Sequence, residues 1–137
     1  MATYRKADPD AFAVIEELMA ANHPELDEVK VRVGALFAYA PTDEETGEPK
    51  APAIKKYGMP TVATVRVVSQ KDRVAGLPDA QILLDGEAWE HEWTDERKRA
   101  VIDRELLHLE VSRDEDGVVK LDDCNRPRLK LRPPTLK

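Results

Sequence analysis

A single cysteine, three histidines and no long apolar run set the first limits on this chain of 137 residues. Cys124 alone excludes an internal disulfide, and with it any four-cysteine or two-cysteine, two-histidine zinc site. No stretch approaches the roughly 18 apolar residues that span a bilayer, and "MATYRKADPDAF" lacks the apolar centre of a signal peptide. The expectation is a cytoplasmic chain with no membrane partner. The six glycines form no phosphate-cradling loop, and no serine-centred elbow is present. A di-iron bundle needs two E-x-x-H motifs and further glutamates, and only one such motif occurs.

What is present suits one folded domain over residues 1–137. Charged residues make up 35% and hydrophobic ones 42%, which is too apolar for a disordered chain, and the length supports one core. The net charge of −6 argues against a protein that coats nucleic acid. That charge is uneven, because residues 124–137 carry five basic and no acidic side chains, leaving −11 on the rest. A basic strand and tail follow an acidic body.

The spacing of Phe12, Ile15, Leu18 and Met19 predicts a helix over 8–21, with Asp8 as N-cap and Pro9 at its first position. In "VKVRVGALFAYA" the valines at 29, 31 and 33 alternate with Lys30 and Arg32, as in a half-buried strand. Residues 41–60, with four prolines, two glycines and many charges, read as a long mobile loop. Strands are expected at 61–69 and 80–84, with a helical turn between them before Gly76 and Pro78. A short helix begins at Gly86 or Glu87, and the best-defined helix runs from Thr94, its N-cap, to about 110. His23, before Pro24, reads as a solvated helix end, while Trp89 and Trp93 share a helix face and belong to core packing.

At about 100° per residue, Ile102, Leu106 and Leu109 form one apolar stripe of that helix, with Ala100 and Leu107 nearly opposite. Burial on two sides is the expectation. Arg104 and His108 lie one turn apart on a shared face, with Glu105 beside them, in the arrangement of an H-E-x-x-H zinc helix. In that chemistry two histidines at i and i+4 grip zinc, and the glutamate deprotonates a metal-bound water. Arginine has no lone pair to offer a metal. Taken alone, the tetrapeptide is a weak signal, and its ordinary reading is a core or rim histidine on an amphipathic helix beside a solvated glutamate.

The surrounding sequence adds to this. The run "LPDAQILLDGEAWEHEWTDERKRAVIDRELLHLEV", followed by an acidic turn and "NRPRLKLRP", resembles the phage metallopeptidases, a zincin-like family. Their pattern is a strand, a tryptophan-bearing turn, a T-D-E-x-x-x-A-x-x-D-H-E-L-x-H-L helix and then a basic strand; the likeness spans roughly residues 29–133. It implies an α+β fold: a single zincin-like domain with a small twisted mixed sheet, an N-terminal helix and a central motif helix. It further implies zinc as cofactor, Glu105 as general base, His108 as second ligand and Asp103 as the aspartate before the motif. Arg104 stands where the first ligand belongs, and Pro134 stands where the family tends to place a histidine after the basic strand. By this likeness the chain is a peptidase fold with zinc hydrolysis weakened or lost, located in the host cytoplasm if phage-encoded.

Two further classes stay open. One is a non-catalytic binding module on the same fold, meeting a protein or peptide, or nucleic acid, through Arg126, Arg128, Lys130 and Arg132 or through the loop at 41–60. Those four cations alternate with Pro127, Leu129 and Leu131, so a strand there has one basic and one apolar face; the plainer reading is an edge strand kept from aggregating by charge. The other class is an unrelated small structural protein. His91, Cys124, Asp122 and Asp123 replace a missing ligand only if folding brings them to His108. Cys124, flanked by aspartates, reads as an inert surface thiol.

Overall fold

In the computed structural model, which describes residues 2–132, the chain opens with strand β1 (Thr3–Lys6) and helix α1 (Pro9–Asn22). A short helix α2 (Pro24–Glu28) leads into β2 (Val33–Tyr39), followed by a hairpin of β3 (Ile54–Lys56) and β4 (Met59–Thr61). Next come β5 (Ala63–Val67), α3 (Gln70–Val74), β6 (Ala80–Asp85), α4 (Gly86–His91) and α5 (Asp95–Leu106). Strands β7 (Leu109–Val111) and β8 (Leu129–Leu131) close the described part.

The main sheet has the order β1-β2-β6-β5. β2 and β6 run parallel, with Val33 opposite Ala80 and Ala38 opposite Asp85, while β1 and β5 pair antiparallel on the outside. The sheet is therefore mixed, and the domain is α+β. Alternation sends Ala35, Phe37, Ile82, Leu84, Ala63 and Val65 to one face, where Ile15 and Leu18 of α1, Trp89 of α4 and Ile102 and Leu106 of α5 meet them. Burying each large apolar side chain contributes on the order of 1.5 to 3 kcal/mol, so this layer supplies most of the stability. Thr94 caps α5 through its hydroxyl, which accepts from the Arg97 N–H at 3.2 Å. Gly86 starts α4 against the Tyr39 ring, only 2.5 Å from where a Cβ would sit, so a larger residue there displaces Tyr39. Among the described residues no helix is long and apolar enough to cross a membrane.

Several elements differ from the sequence pattern. Residues 29–32 are not strand, because the turn that follows α2, with Lys30 at φ 55°, leads through that stretch before β2 begins; Val31 is buried there without sheet pairing. The segment 41–60 is not all loop, since its last third forms the β3–β4 hairpin, and Thr42 bridges Pro49. α5 ends at Leu106 rather than near 110, because Leu109–Val111 pair with Leu129–Leu131 and sheet bonding replaces helix bonding. α5 is buried on one side only: Ile102, Leu106 and the following Leu109 are core, whereas Ala100 is exposed and Leu107 is 52% exposed. His23 is not solvated: it is buried, with Nε2 2.6 Å from Asp103 Oδ1 of α5. Asp8 stands at the N-cap of α1, but its carboxylate receives Arg5 and caps nothing. Trp89 is core as expected, though α4 ends before Trp93, which meets Trp89 edge to face at 6.3 Å.

Candidate active site

On the side of α5 toward the hairpin and β5, Arg97, Ala100, Val101, Arg104 and Glu105 repeat at helical spacing, and His108 continues them just past the helix end. Together these residues form one wall of a cavity of about 340 Å³. The opposite wall is the hairpin and the start of β5: Lys56, Tyr57, Thr61, Val62 and Ala63. Tyr57 and Gly58 form the two-residue hairpin turn, both with positive φ (53° and 76°), which matches the twist of the flanking strands. That turn leaves Tyr57 89% exposed at the rim.

Glu105 is the buried carboxyl of the cavity, 6% exposed, and its Oε2 has no hydrogen-bond partner. Burial raises its pKa above the ordinary glutamate value, and the nearby positive charge of His108, Lys56 and Arg104 pulls it partly back. The His108 backbone N–H donates to the Glu105 carbonyl at 3.1 Å, closing the last turn. The His108 ring contacts the Arg132 carbonyl through Nδ1 at 3.3 Å. A carbonyl only accepts, so this contact puts a hydrogen on Nδ1, and the lone pair that a neutral ring would offer is on Nε2. Such a contact also orients ring nitrogens in metal sites.

Arg104, Glu105 and His108 are therefore brought together in one cavity. The other expected residues are not. Arg126 turns away into Asp79, with Nη2 2.5 Å from Oδ2, and donates to the Lys30 carbonyl at 2.9 Å. Lys130 and Arg132 lie 3.9 and 3.8 Å from Glu110, so the basic face is shared with an acid, and Arg132 touches the site residues through its backbone alone, its N–H donating to the His108 carbonyl at 2.6 Å and its carbonyl meeting the His108 ring. Arg128 is exposed outside the cavity wall. Cys124 is exposed, His91 sits beside Glu90, Asp123 accepts from Gln70, and Asp122 is buried against Arg73. None of these four lines the cavity. Pro134 lies outside the described residues. Arg97, Lys56 and Tyr57 were not among the expected site residues; Arg97 shares the face of Arg104 seven positions on, whereas the hairpin pair has no local signal.

A catalytic zinc takes three protein ligands. Here the wall offers one imidazole nitrogen and the Glu105 carboxyl, and the guanidinium of Arg104 has no lone pair to add. Among the described residues no group of three or more His, Cys, Asp or Glu side chains is placed to hold a metal ion. The residues described do not fit a catalytic zinc. Three cations, Lys56, Arg97 and Arg104, line the cavity, and none lies within ion-pair distance of a carboxylate among the described residues.

A family model described as "Putative phage metallopeptidase" matches residues 3–137. No curated protein and no solved structure matches the chain.

Proposed function

The chain belongs to the phage metallopeptidase family, and from that premise we propose that its motif helix now serves binding, with zinc hydrolysis weakened or lost. Arg104 carries this reading. It lines the cavity where the family pattern places the first zinc ligand, and it brings a fixed positive charge in place of a lone pair. Two unit charges 4 Å apart repel by about 4 kcal/mol at an effective dielectric of 20, so a cation beside His108 is disfavoured as well as under-coordinated. Glu105 keeps the position and the raised pKa of a general base. Without a metal to polarise the attacking water, that base has no strong nucleophile to generate.

Contact with an acidic partner or nucleic acid through Arg126, Arg128, Lys130 and Arg132 has less support, because Arg126 is committed to Asp79 and Glu110 stands beside two of the others. The test is elemental analysis of the purified protein, with a proteolysis assay on denatured casein before and after zinc addition. The expected result is zinc well below one equivalent and no casein cleavage in either condition. One stoichiometric zinc that is lost in His108→Ala overturns the proposal.

A further inference from the structure

We propose that the cavity beside α5 is a carboxylate-binding site for the end of a peptide, in which Lys56, Arg97 and Arg104 receive the carboxylate and the Glu105 carboxyl accepts the N–H of the same residue. The inference deepens the binding role given above and rests on Arg104 acting as a cation rather than as a lost ligand.

Two independent features of the cavity lead there. The first is charge. In a chain of net charge −6, three cations from two different elements face one cavity with no ion-pair partner among the described residues. Arg97 and Arg104 are seven residues apart on one helix face, roughly 10 Å along the axis at 1.5 Å per residue. Lys56 reaches in from the hairpin opposite. Cations that serve the fold in this protein meet carboxylates, as Arg5, Arg73, Arg99 and Arg126 do. The second feature is the Glu105 Oε2 atom, buried, lining the same cavity and lacking a donor. An unpartnered buried acceptor carries a desolvation cost that a ligand N–H relieves.

A ligand that satisfies both must carry an anion and a hydrogen-bond donor close together. A hydrogenphosphate ion has the anion and an O–H for Glu105, but no apolar part to cover Val62, Ala63 and Ala100, which line the same cavity. The last residue of a peptide has both, an amide N–H and a carboxylate separated by one Cα, and an aspartate within a peptide offers nearly the same pair. Ala63, Ala100 and Val62 leave apolar wall for its side chain, and the volume of about 340 Å³ lies at the small end of ligand-site sizes. Arginine is suited to carboxylate because its planar donors engage both oxygens.

The experiment is fluorescence anisotropy at low ionic strength, with EDTA present throughout, using N-terminally labelled trialanine as the free acid, the same peptide amidated, and an amidated peptide with one internal aspartate. The free acid is expected to bind about ten-fold or more tightly than the amide, and Arg104→Gln and Lys56→Gln are each expected to weaken it about ten-fold, the loss of one charge-assisted contact. Melting curves confirm that both variants fold, since each replaces a side chain outside the core. If the internal-aspartate peptide binds like the free acid, the site takes side-chain carboxylates as well, and the proposed chemistry stands. Equal binding of acid and amide, unchanged binding in Arg104→Gln, or displacement by inorganic phosphate at concentrations matching the free peptide overturns it. Because chelator is always present, a positive result is independent of the metal analysis, and a negative one leaves the reading of Arg104 as a missing ligand intact.

Discussion

Asp79 and Glu105 are both buried carboxyls, 1% and 6% exposed, and the protein treats them in opposite ways. Asp79 receives Arg126 through two nitrogens, lies 3.7 Å from Arg73 and accepts the Arg32 backbone N–H at 2.8 Å. Arg73 in turn reaches Asp122 at 3.1 Å, and Asp122 accepts the backbone N–H groups of Arg126 and Cys124, bonds that hold its carboxyl below the usual range. This clasp ties the segment before β8 to the start of β6. Glu105 has three cations lining the same cavity but an oxygen with no donor, and its pKa moves up rather than down. The clasp carries its buried charge in ion pairs, even though Arg73 Nε and Asp122 Oδ2 lack hydrogen bonds of their own, whereas the cavity cations have no ion-pair partner among the described residues, and that unpaired set is where the proposed ligand would bind.

The widest separation between the two regions should come from neutralising each carboxyl at constant shape. Asp79→Asn removes one partner of a buried ion pair and is expected to destabilise by about 3 to 5 kcal/mol in urea unfolding. A cost under about 0.5 kcal/mol, as for a surface position, would show that the clasp does not hold the fold.

Glu105→Gln should act with the opposite sign. Burial raises the folded-state pKa of Glu105 above its unfolded value, so the penalty for ionising it is absent below the ordinary glutamate range and grows as pH rises through the raised value. At pH 8 the variant is expected to be more stable than the parent by about 1 to 3 kcal/mol, and below about pH 4 the two should coincide. A variant less stable at pH 8 would mean that Glu105 has a partner after all.

Arg104→Gln should change stability by less than about 0.5 kcal/mol, because the side chain is exposed and engages no carboxylate among the described residues. A loss above about 1.5 kcal/mol by urea unfolding, comparable to removing a charged hydrogen bond, would give it a structural role instead.

The smallest contrast lies in the two long connections. The segment ahead of the hairpin has one isolated bridge, Thr42 to Pro49, whereas the segment between β7 and β8 has two bridges and the clasp. A glutamate-specific protease should therefore cut first at Glu44, Glu45 or Glu48. First cleavage at Glu115 would reverse the order of mobility.

What could be read from the sequence follows from how local each signal is. The α1 face, the Thr94 cap, the start of α4 and the grouping of Arg104, Glu105 and His108 all depend on neighbours within a turn or two, and they appear as expected. β1 escaped notice because Thr3 to Lys6 are exposed and carry no apolar alternation; pairing with β2 alone makes them a strand. The burial of His23 depends on Asp103, eighty residues on, and Lys56 joins the cavity only through the hairpin. Arg126 looked like part of a basic face because its partner, Asp79, is forty-seven residues away.

The most direct test of the central claim, that position 104 has exchanged a metal ligand for a charge, is a zinc titration of melting temperature on the parent protein and on Arg104→His combined with Pro134→His. A ligand at about 100 times its Kd adds roughly 2.7 kcal/mol, which for a domain of this size is a rise of several degrees. The parent should show no such rise and the double variant should. A parent that gains those degrees with zinc, and loses the gain in His108→Ala, would contradict the account.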